Sequence, residues 1–312
     1  MKILFMGSGR FALPSLEALL ASGHSLIALI CQPDKPAGRG HSLTPPPTKR
    51  LAAERGIPVH QPAKVRSPEA VELVRRVAPE LVVVVAYGQI IPRSILEIPP
   101  KGIINVHGSL LPAYRGAAPV QWAIVRGESE TGVTTMLMDE GMDTGPILLQ
   151  RKEPIGPEDT GETLEERLAR LGAGLLIETL DAWERGVLTP IPQDPSKSSL
   201  APRIKKEDGL VDWNLAASEI ERRVRGFIPW PVAHSEIQAQ AVKIWKAEVG
   251  SERPGRPGET LAVDREGVWV ACGDGTTLHL LEVQPEGKRR ITGSDFARGY
   301  RLHPGMRWGH QV

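Results

Sequence analysis

The sequence predicts an α/β protein with a Rossmann-like, mostly parallel sheet domain followed by a smaller, OB-like antiparallel β-barrel domain. In the first part of the chain, short apolar runs such as 81–86 alternate with helical segments, which favours a parallel sheet covered on both faces. Beyond residue 208, about five short segments of alternating polarity are separated by Gly and Pro, as in small antiparallel barrels. A length of 312 residues is ample for two domains.

A change of composition separates these two parts of the chain. Between 189 and 207 the pattern collapses into Pro, Ser and Lys, which we interpret as an interdomain linker. The predicted division is therefore an N-terminal Rossmann-like domain over residues 1–188, a linker over 189–207, and a C-terminal barrel domain over 208–312.

Bulk composition narrows the class of protein. The 38 basic and 37 acidic residues leave a net charge of +1, so any contact with nucleic acid must come from local basic patches. Cys31 and Cys272 are too few and too distant to suggest a disulfide framework or a zinc site. With no apolar run of membrane-spanning length and no signal-peptide pattern before the first strand, we expect a cytoplasmic protein without a membrane partner. We also expect a monomer.

The first predicted strand, Lys2 to Met6, leads into a glycine-containing turn. Gly7, Gly9 and Ala12 match the dinucleotide fingerprint G-x-G-x-x-G/A, which is a weak signal by itself. No acidic residue ends the second predicted strand, 25–31, so a tight turn of small residues is favoured over an NAD site. An NAD-dependent oxidoreductase stays an alternative.

A long stretch rich in Gly and Pro, residues 32–48, follows the second strand. Gly and Pro interrupt it too often for a helix or a strand, so we expect a loop that is either functional or simply solvated. Lys35 and Arg39 contribute to a locally basic character.

The candidate chemistry centres on a short buried strand predicted over 102–106. Side chains two residues apart on a strand point to the same face, so Asn105 and His107 should emerge together. Gly108 and Pro112 then end the strand and open a loop. Open α/β sheets place their ligands at the carboxyl ends of such strands.

An acidic loop holding Asp139, Glu140 and Asp143 lies downstream of this strand in the sequence. A carboxylate near an imidazole orients the ring and stabilises its charged form, and an Asn amide can donate to a developing oxyanion. Such a set suits addition of an external nucleophile to a carbonyl, and no G-x-S-x-G elbow points to an acyl-enzyme. A metal site and a solvated acidic turn are alternatives; we predict no metal, because the loop matches no calcium motif and has no neighbouring second His.

The run from Asn105 to Pro119, Asn-Val-His-Gly-Ser-Leu-Leu-Pro-Ala-Tyr-Arg-Gly-Ala-Ala-Pro, resembles the folate-dependent formyltransferases, as does Asp143-Thr-Gly145 downstream. The likeness extends over nearly the whole chain, including the Pro-Ala-Gly-Arg-Gly loop, Val211-Asp-Trp213 and the Pro229-Trp-Pro231 turn. One departure is Gly7-Ser-Gly9-Arg10 in place of a Gly-Thr-Pro-acidic turn, which bears on substrate-side packing.

The resemblance implies transfer of a formyl group from 10-formyltetrahydrofolate to the α-amine of methionine on initiator tRNA, for translation initiation. It implies Asn105, His107 and Asp143 as catalytic residues. The residues implied to contact folate are Ser109, Leu110, Leu111, Pro112, Gln89, Ile90 and Ile91. Those implied to contact tRNA are Lys35, Arg39, Lys205 and Lys206.

Several rival functions remain open at this stage. A formyltransferase acting on glycinamide ribonucleotide would share the three catalytic residues but should need neither the basic loop nor a second domain. One acting on a nucleotide-linked amino sugar can carry a similar second domain. A non-catalytic RNA-binding protein would instead rely on the barrel alone.

Overall fold

The computed structural model describes residues 1–37 and 42–309. By packing, the chain divides into two compact units. Among the described residues, no helix is both long and apolar enough to cross a membrane. The first unit comprises Met1–Pro119, Glu130–Pro154 and Glu165–Pro202, and the second comprises Val120–Ser129, Ile155–Leu164 and Arg203–Val312.

The first unit is built on a seven-stranded sheet with the order β10-β9-β7-β6-β1-β2-β5. The strands from β7 to β5 run parallel, whereas β9 pairs antiparallel with both β7 and β10. The central strands β6 and β7 are buried along their whole length, and β1 is buried after Lys2, as expected for apolar strands covered on both faces. Two short pairs, β3 with β4 and β8 with β11, lie outside this sheet. In chain order the strands are β1 (Lys2–Gly7), β2 (Ser25–Ile30), β3 (Lys35–Ala37), β4 (Ser42–Thr44), β5 (Val59–His60), β6 (Leu81–Val85), β7 (Ile103–His107), β8 (Arg115–Gly116), β9 (Glu130–Leu137), β10 (Ile147–Pro154) and β11 (Leu200–Ala201).

Helices connect these strands, as the alternating pattern predicts. At the start of α3 the Ser67 side chain accepts a hydrogen bond from the Ala70 N–H and Pro68 occupies the first turn, a capping arrangement legible in the sequence. The helices up to this point of the chain are α1 (Leu13–Ala21), α2 (Pro47–Glu54), α3 (Pro68–Val77), α4 (Arg93–Leu96), α5 (Pro119–Val125) and α6 (Gly161–Glu184).

The stretch 32–48 was expected to contain neither helix nor strand, but its described residues, 32–37 and 42–48, are more regular than predicted. The strands β3 and β4 pair antiparallel, with Pro36 opposite Leu43, and α2 begins at Pro47. The expectation was wrong because Pro is tolerated in a two-stranded ribbon, where both strands are edges, and at the first turn of a helix.

The second unit contains an antiparallel six-stranded sheet. The strands follow the order β12-β13-β16-β15-β14, and β17 also pairs with β16. Two helices pack on it, and the shared core includes Trp213, Phe296 and Trp308. This confirms the predicted class, a Rossmann-like domain followed by a C-terminal β domain. The elements are α7 (Ala217–Gly226), β12 (His234–Ile237), β13 (Gln240–Gly250), β14 (Thr260–Val263), β15 (Val268–Ala271), β16 (Thr277–Pro285), β17 (Ile291–Thr292) and α8 (Gly293–Tyr300).

The Asp264 side chain stabilises the β14–β15 turn of this sheet by hydrogen bonds. Burial alone would raise the pKa of Asp264, but hydrogen bonds from the Trp269 indole and from the backbone N–H groups of Gly267 and Glu266 outweigh it and lower the pKa from 3.8 to about 2. His279 lies 3.3 Å from the same carboxylate and stacks on Trp269.

The segment predicted as a linker belongs to the first unit as far as Pro202. In it, β11 pairs in parallel with β8, and Ile191 forms an antiparallel bridge with Ile147, so this stretch packs within the first unit. The predicted domain limits at 188 and 207 themselves stay a prediction.

Candidate active site

The candidate site begins on β7, which joins the parallel and antiparallel parts of the first unit's sheet. In this strand Asn105 lies between Val84 of β6 and Met136 of β9, and His107 pairs with Thr134. Both polar residues are buried in an otherwise apolar strand, with 8% and 6% of their surface exposed. Their spacing of two places both side chains on the same face of the sheet.

The two ring nitrogens of His107 face different partners. Its Nε2 lies 2.9 Å from the backbone carbonyl oxygen of Tyr114, and its Nδ1 lies 3.7 Å from Oδ2 of Asp143. Because a carbonyl oxygen only accepts, Nε2 carries the hydrogen of this bond. A second proton on Nδ1 would face the carboxylate directly, so the pair is arranged to receive a proton and to balance its charge.

Asp143 is held by groups outside its own loop. Its backbone adopts a left-handed conformation, with φ of +54°, between the end of β9 and the start of β10. The Oδ2 atom accepts a hydrogen bond of 2.8 Å from the backbone N–H of Gly116. The Gln193 side chain donates from Nε2 to the carbonyl oxygens of both Asp143 and Gly145, at 2.8 and 2.7 Å.

The side-chain amide of Asn105 has no hydrogen-bond partner among residues 1–37 and 42–309. Its two N–H donors are therefore available to a bound molecule. A buried amide that points donors at a carbonyl oxygen stabilises the negative charge that develops there during nucleophilic addition.

The loop that follows β7 is fixed by a buried threonine. The Thr134 hydroxyl donates to the Ser109 carbonyl oxygen at 2.6 Å and accepts from the Leu111 N–H at 3.0 Å. The Gln150 side chain donates both to that hydroxyl and to the Leu111 carbonyl oxygen. Ser109 directs its own hydroxyl to the Ala113 carbonyl oxygen at 2.6 Å. No motif marks Thr134 or Gln150 in the sequence, because their partners are backbone groups remote along the chain.

The predicted folate residues differ in what they expose. The Leu111–Pro112 peptide bond is cis, Leu111 is buried, and Leu110 is half-buried. The Gln89 amide is engaged with the backbone of Ala63 and Val65. Ile91 is buried, whereas Ile90 is 87% exposed. A ligand beside 89–91 would therefore meet the Ile90 side chain and backbone groups rather than the Gln89 amide.

The predicted tRNA residues Lys35, Lys205 and Lys206 are exposed. None of the three belongs to an ion pair within the described part of the chain. Their charges are thus free to meet phosphates. Arg39 lies outside the described residues.

The acidic loop is organised by hydrogen bonds and an ion pair that its own side chains form. Asp139 accepts hydrogen bonds from the Gly141 N–H and the Thr144 hydroxyl, and Glu140 lies 3.4 Å from Arg93. Within 1–37 and 42–309 no three His, Cys, Asp or Glu side chains are grouped so that they could hold a metal ion.

Comparison with known proteins identifies a family over most of the chain. A family model described as "Formyl transferase" matches residues 1–180, and one described as "Formyl transferase, C-terminal domain" matches residues 203–301. The chain belongs to the formyl transferase family. Within it, the protein named methionyl-tRNA formyltransferase of Geobacter sulfurreducens is 50% identical over 309 residues, which cover 99% of this chain and 97% of that relative. The protein of the same name from Myxococcus xanthus is 47% identical, over 97% and 96%.

Two solved structures share the fold of this chain. WlaRD, described as a sugar 3N-formyl transferase, superposes with a TM-score of 0.67 at 21% identity, covering 93% of this chain and 99% of that one. HypX from Aquifex aeolicus in complex with tetrahydrofolic acid gives a TM-score of 0.62 at 22% identity, covering 95% of this chain and 47% of that one.

Proposed function

We propose that this formyltransferase moves the formyl group of 10-formyltetrahydrofolate to the α-amine of methionine carried by initiator tRNA, for translation initiation. Support comes from relatives at about half identity over nearly the full chain, which bear the name methionyl-tRNA formyltransferase. The observation that supports the proposal is the 3.7 Å approach of His107 Nδ1 to Asp143 Oδ2, on the strand whose same face carries the Asn105 amide, which has no hydrogen-bond partner among the described residues.

The reaction needs little activation of the nucleophile. An α-amine titrates near pH ~8, and esterification to tRNA lowers that value, so a large fraction is unprotonated at neutral pH. The amine nitrogen attacks the formyl carbon and forms a C–N bond, while the carbonyl oxygen gains negative charge. The bond to the folate nitrogen then breaks, the amine loses a proton, and the folate nitrogen gains one. The products are the N-formylated amine and tetrahydrofolate.

In this proposal Asn105 and His107 hold the oxygen of the tetrahedral intermediate. Asn105 supplies donors that have no partner among the described residues, and His107 supplies a ring N–H. Asp143 stabilises the positive charge on the ring and, with a bound water, helps to move the proton released by the amine. The enzyme's contribution is thus positioning and charge stabilisation.

The remaining contacts are proposed around this centre. Residues 109–112 and 89–91 would border the folate, since an apolar loop with a fixed backbone suits a flat heterocycle. The loop carrying Lys35 and Arg39 would meet the acceptor end of the tRNA, while Lys205 and Lys206 meet phosphates. We further propose that the enzyme acts as a cytoplasmic monomer without a metal.

Mass spectrometry of the aminoacyl product, after incubation with charged initiator tRNA and formylfolate, tests the function. We expect formylmethionine with release of tetrahydrofolate. Removing Asn105, His107 or Asp143 by substitution with Ala should lower kcat by at least about 10²–10³-fold while the protein stays folded. Near-wild-type turnover in folded His107→Ala would remove the mechanism.

The fold likeness to WlaRD makes an amino-sugar formyltransferase the second candidate. The same assay with a nucleotide-linked amino sugar discriminates between the two, because only one amine should be formylated efficiently. Tight tRNA binding with no release of tetrahydrofolate would instead favour a non-catalytic RNA-binding protein.

The tRNA contacts have a separate test. Arg39→Ala should raise KM for charged tRNA and leave KM for folate unchanged. Replacing Lys205 and Lys206 together by Ala should reduce the dependence of log KM on log salt concentration by about one for each phosphate that these lysines neutralise. An unchanged KM for tRNA in Arg39→Ala, or an unchanged salt slope in the double variant, would contradict the corresponding contact.

A further inference from the structure

Residues 191–201, here called the strap, run along the candidate site within the first unit. From 191 to 200 every residue is exposed except Gln193 and Ser199, which are half-buried. The Gln193 side chain forms a hydrogen bond to the Asp143 backbone, and the Ser199 side chain forms one to Tyr114, which contacts His107.

Both the nitrogen and the oxygen of the Gln193 side-chain amide form hydrogen bonds. Its Nε2 directs its two hydrogens to the Asp143 and Gly145 carbonyl oxygens, and its Oε1 accepts from Nε and Nη2 of Arg115 at 3.0 and 2.6 Å. The guanidinium can only donate, so it fixes which end of the amide faces the loop. Gln193 therefore clamps the left-handed backbone of Asp143 from outside its own loop.

Ser199 acts on His107 through Tyr114. Its Oγ accepts a hydrogen bond of 2.9 Å from the Tyr114 N–H, and its carbonyl oxygen accepts one of 2.8 Å from the Arg115 N–H. Tyr114, whose φ is +62°, presents the carbonyl oxygen that accepts from His107 Nε2. The strap thus fixes the peptide unit that orients the imidazole.

We propose that the strap is a positioning element of the catalytic pair: Gln193 places the Asp143 carboxylate, and Ser199 places His107 through Tyr114. This inference rests on the proposed function, because it assumes that His107 and Asp143 work together in formyl transfer. The 3.7 Å separation of the imidazole and the carboxylate is then set by a segment that holds backbone groups of Asp143 and Tyr114. A displacement of about 1 Å at such a pair can cost about a hundredfold in rate.

Gln193→Glu is the sharpest perturbation. The variant keeps the size of the side chain and its contact with Arg115, which becomes an ion pair, so the strap stays attached. It replaces both donors with an oxygen that faces two carbonyl oxygens. We expect kcat to fall at least about tenfold, with KM for folate and for charged tRNA changed less than twofold.

A double-mutant cycle separates positioning of Asp143 from a general structural role. If Gln193 acts through Asp143, Gln193→Glu should change kcat less than twofold in an Asp143→Ala background. An equal loss in both backgrounds, a loss confined to KM, or no loss at all would overturn the inference. Should Gln193→Glu fail to fold, Gln193→Met in the same cycle gives the same comparison.

The second half of the strap has a matched control. Ser199→Ala should lower kcat about five- to tenfold in the wild type and less than twofold in a His107→Ala background. Ser198→Ala, one residue away, removes an exposed hydroxyl that among the described residues bonds only to the Pro195 carbonyl oxygen, and it should leave kcat unchanged. Equal effects of Ser198→Ala and Ser199→Ala would refute a specific role for Ser199.

Failure of this inference is distinguishable from failure of the proposed function. If the wild type forms no formylmethionyl-tRNA, the function is wrong. If the wild type does so and Asp143→Ala is impaired, but the strap variants behave like the wild type, only the positioning role is wrong.

Discussion

Replacing Thr134 by Val should destabilise the first unit and weaken folate use. The exchange is nearly isosteric, so it leaves no cavity at this fully buried position. It removes the hydroxyl that donates to the Ser109 carbonyl oxygen and accepts from the Leu111 N–H. Gln150 keeps its second bond, to the Leu111 carbonyl oxygen.

The magnitude follows from the groups left without partners. Two buried backbone groups lose a hydrogen bond, and each costs about 1–3 kcal/mol when it stays unsatisfied. Allowing for partial relaxation of the loop, we expect a loss of about 2–4 kcal/mol, which corresponds to a fall in Tm of about 5–10 °C for a unit of this size. Because the loop is the proposed border of the folate, KM for folate should also rise.

Differential scanning calorimetry and steady-state kinetics measure these effects. Thr131→Val is the matched control, since Thr131 is buried on the same strand but its side chain makes no hydrogen bond among the described residues. That variant should stay within about 0.5 kcal/mol of the wild type. A Tm for Thr134→Val within about 1 °C of the control, together with an unchanged KM for folate, would refute the reasoning.

Two further predictions concern backbone and charge. Gly116→Ala places a methyl group 2.5 Å from the Ala201 carbonyl oxygen at a φ of +123°, so it should lower the free energy of unfolding by about 1–3 kcal/mol and lower kcat. Gly174→Ala, where nothing lies within 4 Å of the added methyl group, should instead stabilise helix α6 by up to about 1 kcal/mol. Thermal unfolding of both variants measures these effects. Asp264 has a folded-state pKa near 2, so its contribution is present above pH 4 and is lost as the pH falls from about 4 to 2. Because the carboxylate is 43% exposed, Asp264→Asn should cost at most about 1 kcal/mol at pH 7, and acid titration of stability should show the difference closing near pH 2; a constant difference would contradict the assignment.

The structural features that depend on short-range sequence patterns were predictable from the sequence. The buried strand β7 was legible from its apolar residues, and its period of two placed Asn105 and His107 on one face. The cap of α3 was equally explicit in Ser67 and Pro68. Each of these inferences depends only on neighbours within a few positions.

The contacts that could not be predicted from the sequence join segments that are far apart along the chain. Gln193 contacts the Asp143 backbone from 50 positions away, and nothing in a Pro-rich stretch marks it out from neighbouring polar residues. The same holds for Thr134, which braces a loop 25 positions earlier. The ribbon of β3 and β4 was missed because Pro and Gly argue against strands in general but not against a short two-stranded edge.

The place of the strap along the chain bears on how the enzyme can be dissected. The two family models end at residue 180 and resume at residue 203, so the strap belongs to neither. A fragment trimmed at the first of these limits would retain all three proposed catalytic side chains yet lack the clamp and the serine that orient two of them. Any minimal, transplantable version of this enzyme should therefore be cut after Pro202.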